Sequence, residues 1–201
     1  MVAEQLIPHG VTDERVLRVM AEIPRDEFLT GPARRHAYED RALQIGCGQT
    51  ISQPLVVALM TQSLNLQPES TALEVGTGSG YQAAILSRLC SRVITIEREA
   101  ALAEQASATL RRLGLDNVEV AVADGSLGWP SAAPYDAILV ACAAREVPQP
   151  LFDQLAPGGR LVVPVQMAGE EPQDLRLYAR AGDEVTYRSL FPVLFVPLRT
   201  G

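Results

Sequence analysis

Ala72-Leu-Glu-Val-Gly-Thr-Gly-Ser-Gly-Tyr81 decides the fold. An apolar run carried by Leu73 and Val75 breaks at Gly76, Gly78 and Gly80, and apolar residues at helical spacing follow (Ala83, Ala84, Ile85, Leu86, Leu89). A strand, a glycine loop and a helix in that order make the ligand-binding corner of a doubly wound α/β sheet. Glycine is needed where a Cβ would block the tight turn or keep a ligand from the backbone. The spacing is G-x-G-x-G, not the G-x-G-x-x-G of dinucleotide-binding proteins.

The alternation continues outward from this corner. Strand 71–75 and helix 80–90 are followed by strand Val93–Glu97, helix 99–113 with Gly114 as its C-cap, and strand Val118–Ala123. Strand Tyr135–Val140, a short helix Pro150–Leu155, a Pro157-Gly158-Gly159 turn and strand Arg160–Val165 complete the series. Strands this apolar belong to a mostly parallel sheet covered by helices on both faces. After Val165 the pattern becomes antiparallel: Asp174–Arg180, a turn at Ala181-Gly182-Asp183, then Val185–Leu190 and Val193–Leu198. Upstream, Thr12 is placed to cap a helix that Pro24 ends, residues 25–53 hold no clean period, and a second helix starts at Pro54. A long aperiodic stretch inside a compact domain is more often functional than idle. The expectation is one domain, with residues 1–70 as a helical, substrate-side segment, 71–165 as the cofactor core and 166–201 as antiparallel strands.

Composition narrows the chemistry. The chain has 201 residues, net charge −7 and 17 basic residues, all of them arginine. With no lysine there is no Schiff base, P-loop lysine or lysine base. The acidic balance disfavours nucleic acid as a partner. Cys47, Cys90 and Cys142 are scattered, and His9 and His36 lack metal-site spacing, so no metal is expected. Without a leader-like start or a membrane-length apolar run, the chain reads as a cytoplasmic protein and a monomer.

Three features fall at the carboxyl ends of successive strands. They are the loop Gly76-Thr77-Gly78-Ser79-Gly80 with Glu74 before it, then Glu97, then Asp124-Gly125. An acid such as Glu97 can accept from both ribose hydroxyls of an adenosine, and Asp124 can receive an adenine amino group. Taken singly, Glu97 also reads as a surface charge and Asp124 as a turn cap. NAD would use Glu97 too, but the loop spacing disfavours it. A second unusual stretch is Gly46-Cys-Gly-Gln-Thr-Ile-Ser-Gln-Pro54. Ser52 there could simply cap the helix that follows, and no histidine stands near it in sequence to make it a hydrolase nucleophile.

The glycine loop with Glu74 resembles the first motif of S-adenosylmethionine-dependent methyltransferases. Joined to Gly48-Gln-Thr-Ile-Ser-Gln-Pro54, it resembles the protein-L-isoaspartate O-methyltransferase family. Pro24-Arg-Asp-Glu-Phe28, Tyr38-Glu-Asp40, Tyr135-Asp-Ala-Ile-Leu-Val140, Pro157-Gly-Gly-Arg-Leu-Val-Val-Pro164 and Phe195-Val-Pro-Leu198 continue the likeness. The chain departs from the common pattern at Ala123, Ser126 and Ala143-Ala-Arg145.

The resemblance implies an enzyme that uses S-adenosyl-L-methionine, leaving S-adenosyl-L-homocysteine, to methylate the side-chain carboxylate of isoaspartyl residues in damaged proteins and peptides. The ester then collapses to a succinimide, part of which reopens to aspartate. By position, Ser52 is the active-site serine. Glu74, Gly76, Thr77, Gly78, Ser79, Gly80, Glu97, Asp124 and Gly125 take cofactor roles, and Ile51, Gln53, Phe195 and Val196 enclose the peptide. The alternatives are a carboxyl methyltransferase for one dedicated peptide and a binding module without turnover.

Overall fold

The computed structural model describes residues 1–167 and 172–201; residues 168–171 of the expected C-terminal segment lie outside the described residues. Helix α1 (Glu14–Glu22) is capped by Asp13, whose carboxylate accepts from the Arg15 N–H at 2.9 Å, and not by Thr12. Thr12 instead donates its own N–H to Gln62 Oε1. The aperiodic stretch holds short 3₁₀ turns and a two-stranded hairpin, β1 (Leu43–Gly46) and β2 (Gln49–Ile51). Helix α2 (Pro54–Leu64) follows directly.

From there strands and helices alternate: β3 (Thr71–Val75), α3 (Tyr81–Ser87), β4 (Arg92–Glu97), α4 (Ala100–Arg112), β5 (Val118–Val122), β6 (Tyr135–Val140) and α5 (Gln149–Asp153). The chain then runs through β7 (Leu155–Val165), β8 (Gln173–Ala181) and β9 (Glu184–Val193). The sheet order is β5-β4-β3-β6-β7-β8-β9, parallel from β5 through β7 and antiparallel for β8 and β9. This is the doubly wound architecture expected, with the antiparallel ending.

Each sheet face has its own core. Ala72, Val93, Leu139 and Val162 pack with α1, α2 and α3, while Leu73, Ile94, Ile138 and Leu161 pack with Leu151 of α5. Sequential neighbours diverge at β3, which pairs with β4 on one side and β6 on the other. The crevice at that switch point, beyond the carboxyl ends of the strands, is where such sheets bind ligands.

Two expectations are corrected. Val193 ends β9, which runs on through Pro192, and the rest of the expected strand Val193–Leu198 is apolar but makes none. Pro197 lacks an N–H donor, and the chain there is held by Ala143, which donates to Val196 O and accepts from the Leu198 N–H, both at 2.8 Å. The helix expected at Pro150–Leu155 ends at Asp153, because Leu155 already pairs with Tyr135 in the sheet.

Candidate active site

The glycine loop closes onto β4. The Gly76 and Thr77 N–H groups both donate to Ile96 O, at 2.8 and 3.1 Å. Gly76, Gly78 and Gly80 have φ of +96°, +53° and +88°, which L side chains rarely adopt. Glu97 is buried and braces the loop: its carboxylate accepts from the Gly78 N–H at 2.8 Å and the Glu99 N–H at 3.0 Å. A carboxylate has about four acceptor positions, so two remain for a ligand.

Beneath the loop lies Glu74, fully buried, with Oε2 accepting from Thr95 Oγ1 at 2.5 Å and Oε1 without a partner. Burial pushes its carboxyl up to about 8, the Thr95 hydrogen bond opposing and the Glu97 charge adding to the rise. Between the ordinary carboxyl range and pH 8 the folded protein holds a proton that the unfolded chain has lost. Stability therefore falls as pH rises through that window. Glu74→Gln is expected to flatten this part of the melting-temperature profile, measured without ligand from pH 5 to 8. An unchanged slope would mean that Glu74 is not the group responsible.

A cleft is lined by Glu74, the loop from Gly76 to Ser79, Glu97, Gly125 and, across from them, Thr50–Ser52 and Val196–Arg199. Gly125 belongs there for packing, since a Cβ on it would collide with Val75 Cγ1. Gly80 and Asp124 do not line the cleft. Gly80 seats α3 against α4, where a Cβ would come within 3.2 Å of Ala106 Cβ. Asp124 accepts from the Ser126 N–H and hydroxyl through one oxygen and from the Gly201 N–H, at 2.8 Å, through the other. Three of its acceptor positions are thus used within the chain, and the one expected to meet an adenine amino group is not placed on the cleft.

A second, more apolar cavity of 720 Å³ lies beside the first, walled by Leu55, Val56 and Leu59 of α2 and by Phe191–Val196. It has room for several residues of a peptide. Thr50, Ser52, Ala141 and Val196 line both cavities. Ser52 therefore stands where the two meet, half-buried.

The helix-cap role is filled by another residue. Asp40 accepts from the Leu55 N–H at 2.9 Å and from Gln53 Nε2 at 2.7 Å, and α2 has no side-chain cap of its own. Ile51 is buried beside Ser52 at the end of the hairpin. Phe195 is clamped through its backbone by buried Gln173, which accepts from its N–H at 2.6 Å and donates to its carbonyl at 3.2 Å.

Arg25, fully buried behind this junction, donates Nε–H to Ala37 O and Nη2–H to Ser52 O, both at 2.7 Å. Its guanidinium lies 4.7 Å from the centroid of the Tyr81 ring, and Tyr81 lines the cleft. Asp40, Arg25 and Gln173 were not among the expected site residues. Asp40 and Arg25 stand inside motifs quoted above, but nothing in their spacing announces these partners.

A sequence model of the family described as protein-L-isoaspartate(D-aspartate) O-methyltransferase matches residues 1–201. The chain belongs to this family. A protein-L-isoaspartate O-methyltransferase of Opitutus terrae is 50% identical over 98% of this chain and 84% of its own length. A solved protein-L-isoaspartate O-methyltransferase superposes with a TM-score of 0.87 at 32% identity, over 94% of this chain and 62% of that one. A Plasmodium falciparum structure described as an isoaspartate O-methyltransferase in complex with S-adenosyl-L-homocysteine gives a TM-score of 0.86 at 27% identity, covering 100% of this chain and 97% of its own. Against the isoaspartate methyltransferase family, the placement of Ser52 between two cavities acquires a chemical meaning.

Proposed function

We propose that Ser52 holds the carboxylate of an isoaspartyl residue at the meeting of the two cavities, the peptide lying along α2 and the cofactor lying in the glycine-loop cleft. The chain is a protein-L-isoaspartate O-methyltransferase, a repair enzyme that uses S-adenosyl-L-methionine. The observation that carries the residue assignment is the sharing of Ser52 by both cavities.

The cleft suits that cofactor. Glu74 offers a buried oxygen with no protein partner, and a cationic ligand beside it would favour release of the proton that burial holds there. Glu97 keeps acceptor positions for ribose hydroxyls, and the Gly76–Ser79 backbone leaves space for close approach. When bound, S-adenosyl-L-methionine supplies an electrophilic methyl on a positively charged sulfur.

The protein's own task is orientation. An isoaspartyl carboxyl with an ordinary pKa of about 4 is already ionised at neutral pH, so no general base is required. Neither histidine lines the cleft; His36 pairs with Glu39 at 2.6 Å, and His9 lies on the peptide cavity, bonded to Gln5 O at 2.8 Å. The Ser52 hydroxyl donates to one carboxylate oxygen and leaves the other free to react. Ile51, Val196 and the Phe195 backbone exclude water around it. Gln53, tied to Asp40, keeps the hairpin joined to α2. Positioning of this kind is worth about 7–11 kcal/mol of a barrier when reacting atoms are held in near-attack geometry.

Two isomeric peptides, differing only in whether an aspartyl linkage runs through its α- or its β-carboxyl, test the assignment. The isoaspartyl form is expected to be methylated and the aspartyl form hardly at all, measured as initial rates of methyl incorporation. Equal rates on both would replace repair with general carboxyl methylation. A cytoplasmic monomer that ignores nucleic acid completes this reading. It is supported by the unpaired Cys47, Cys90 and Cys142 and by the net charge of −7. Among the described residues, no helix is long and apolar enough to cross a membrane.

A further inference from the structure

The peptide cavity does not end on apolar wall. Leu59 and Phe191 also border a third, polar recess, which Arg160 of β7 and Arg188 of β9 line as well. The strand register explains why two arginines from non-adjacent strands meet. Arg160 is opposite Ala179, and Leu177, two residues back along β8, is opposite Arg188. Cross-strand partners share a face, and so do residues two apart, so both arginines stand on one face of the sheet. It is the face that carries α2, because Arg160 Nη1 donates to Ser63 O at 3.0 Å.

The side chains of Asp13, Gln62 and Ser63 in the recess are spent within the protein. Asp13 is held by Arg15 at 2.8 Å. Gln62 accepts from the Thr12 N–H and donates to Gly10 O, both at 3.0 Å. The Ser63 hydroxyl donates to carbonyls of its own helix. Among the described residues, the Arg188 guanidinium has no hydrogen-bond or ion-pair partner, and Arg160 uses a single nitrogen. Two arginines without an acidic partner thus share one recess on a chain of net charge −7.

We propose that Arg160 and Arg188 form a subsite for a carboxylate of the substrate peptide, so that the enzyme favours isoaspartyl peptides with an acidic group some residues from the damaged one. The inference rests on the peptide cavity being the substrate groove, as argued above. The offset follows from α2, which runs along the groove. Ser63 is nine residues beyond Pro54, and at about 1.5 Å per residue the recess lies about 10–15 Å from Ser52. An extended peptide covers that distance in about three to five residues. A guanidinium suits the acceptor because its planar donors match a carboxylate.

The test uses fluorescently labelled isoaspartyl peptides that differ by Glu or Gln at each position three to five residues from the isoaspartate, on either side. A further pair ends at such a position with a free or an amidated C-terminus, which separates side-chain from terminal carboxylates. Binding by anisotropy in low salt is expected to be about two- to fivefold tighter for one of the Glu peptides than for its Gln counterpart. Methylation should show the same ratio in KM and little difference in kcat. The ratio should fall to one in Arg188→Gln, reverse in Arg188→Glu, and shrink as salt is raised. Equal binding of Glu and Gln peptides at every position, with methylation intact, removes the subsite and leaves the function standing. A preference that persists in Arg188→Glu also removes it. Loss of binding and methylation for every peptide would instead take down the groove assignment and the subsite with it.

Discussion

Ser52→Ala is expected to cut methylation of an isoaspartyl peptide by about 10- to 150-fold while the melting temperature stays close to wild type. The rate figure is the loss of one hydrogen bond to a charged acceptor, about 1.5–3 kcal/mol, expressed at the transition state. The unchanged melting temperature follows from Asp40, which takes the Leu55 N–H that a capping serine would have served. If Ser52 had been the cap, its loss would cost about 1 kcal/mol of stability and little turnover. The two measurements thus move in opposite ways under the two roles. Cofactor affinity, read by calorimetry, should change little. A variant that melts early and turns over normally would return Ser52 to a structural part and shift the search to the backbone amides near Ile51 and Val196.

Arg25→Met is expected to be the most destabilising single change at the site. It strips the donors from two carbonyls, buried Ala37 O and part-buried Ser52 O. An orphaned buried acceptor costs about 1–3 kcal/mol, and a part-buried one less. For a domain of this size that amounts to a fall of about 5 °C or more in Tm. Burial draws the guanidinium down to about 10, so it is still charged at neutral pH, steadied by the Tyr81 ring, by Asp40 and by Tyr38. Arg25→Lys keeps a charge but has no fork to span two carbonyls, and should fall between the wild type and Met. Because Arg25 grips the Ser52 backbone, activity at temperatures where the variant is still folded should drop through kcat more than through cofactor binding. A Met variant that melts with the wild type would mean that water reaches both carbonyls.

Much of the fold is legible in the chain because buried parallel strands write their identity as short apolar runs. β3, β4 and β6 were found within a residue of their ends for that reason. The hairpin β1–β2 was not seen, since four and three residues are too few to establish a period. Val193–Leu198 misled in the opposite way. Its apolar content mimics a strand, but its bonding is decided by Ala143 and Gln173, some 20 to 50 residues upstream.

The same limit applies at the site. Loop spacing and motif placed Glu74, Glu97 and Ser52 at strand and helix ends, and all three line the cleft. That Asp40 rather than Ser52 caps α2 depends on a contact 15 residues back along the chain, beyond any local capping rule. Gly80 was grouped with the loop by spacing, although its neighbours are Ala106 and Leu110. Arg25 is invisible as a brace because its partners are main-chain carbonyls, which carry no residue identity to read.

The cleft takes one wall from Thr50–Ser52 and another from Val196–Arg199, with the glycine loop between them in sequence. During translation the loop and its first wall leave the ribosome well before the second. A nascent chain can fold α2 and β3 early, yet the chamber stays open on one side until Arg199 has emerged and the segment after β9 has docked along Ala143. A chamber that needs both walls is thereby deferred until residues 196–199 have been made and docked.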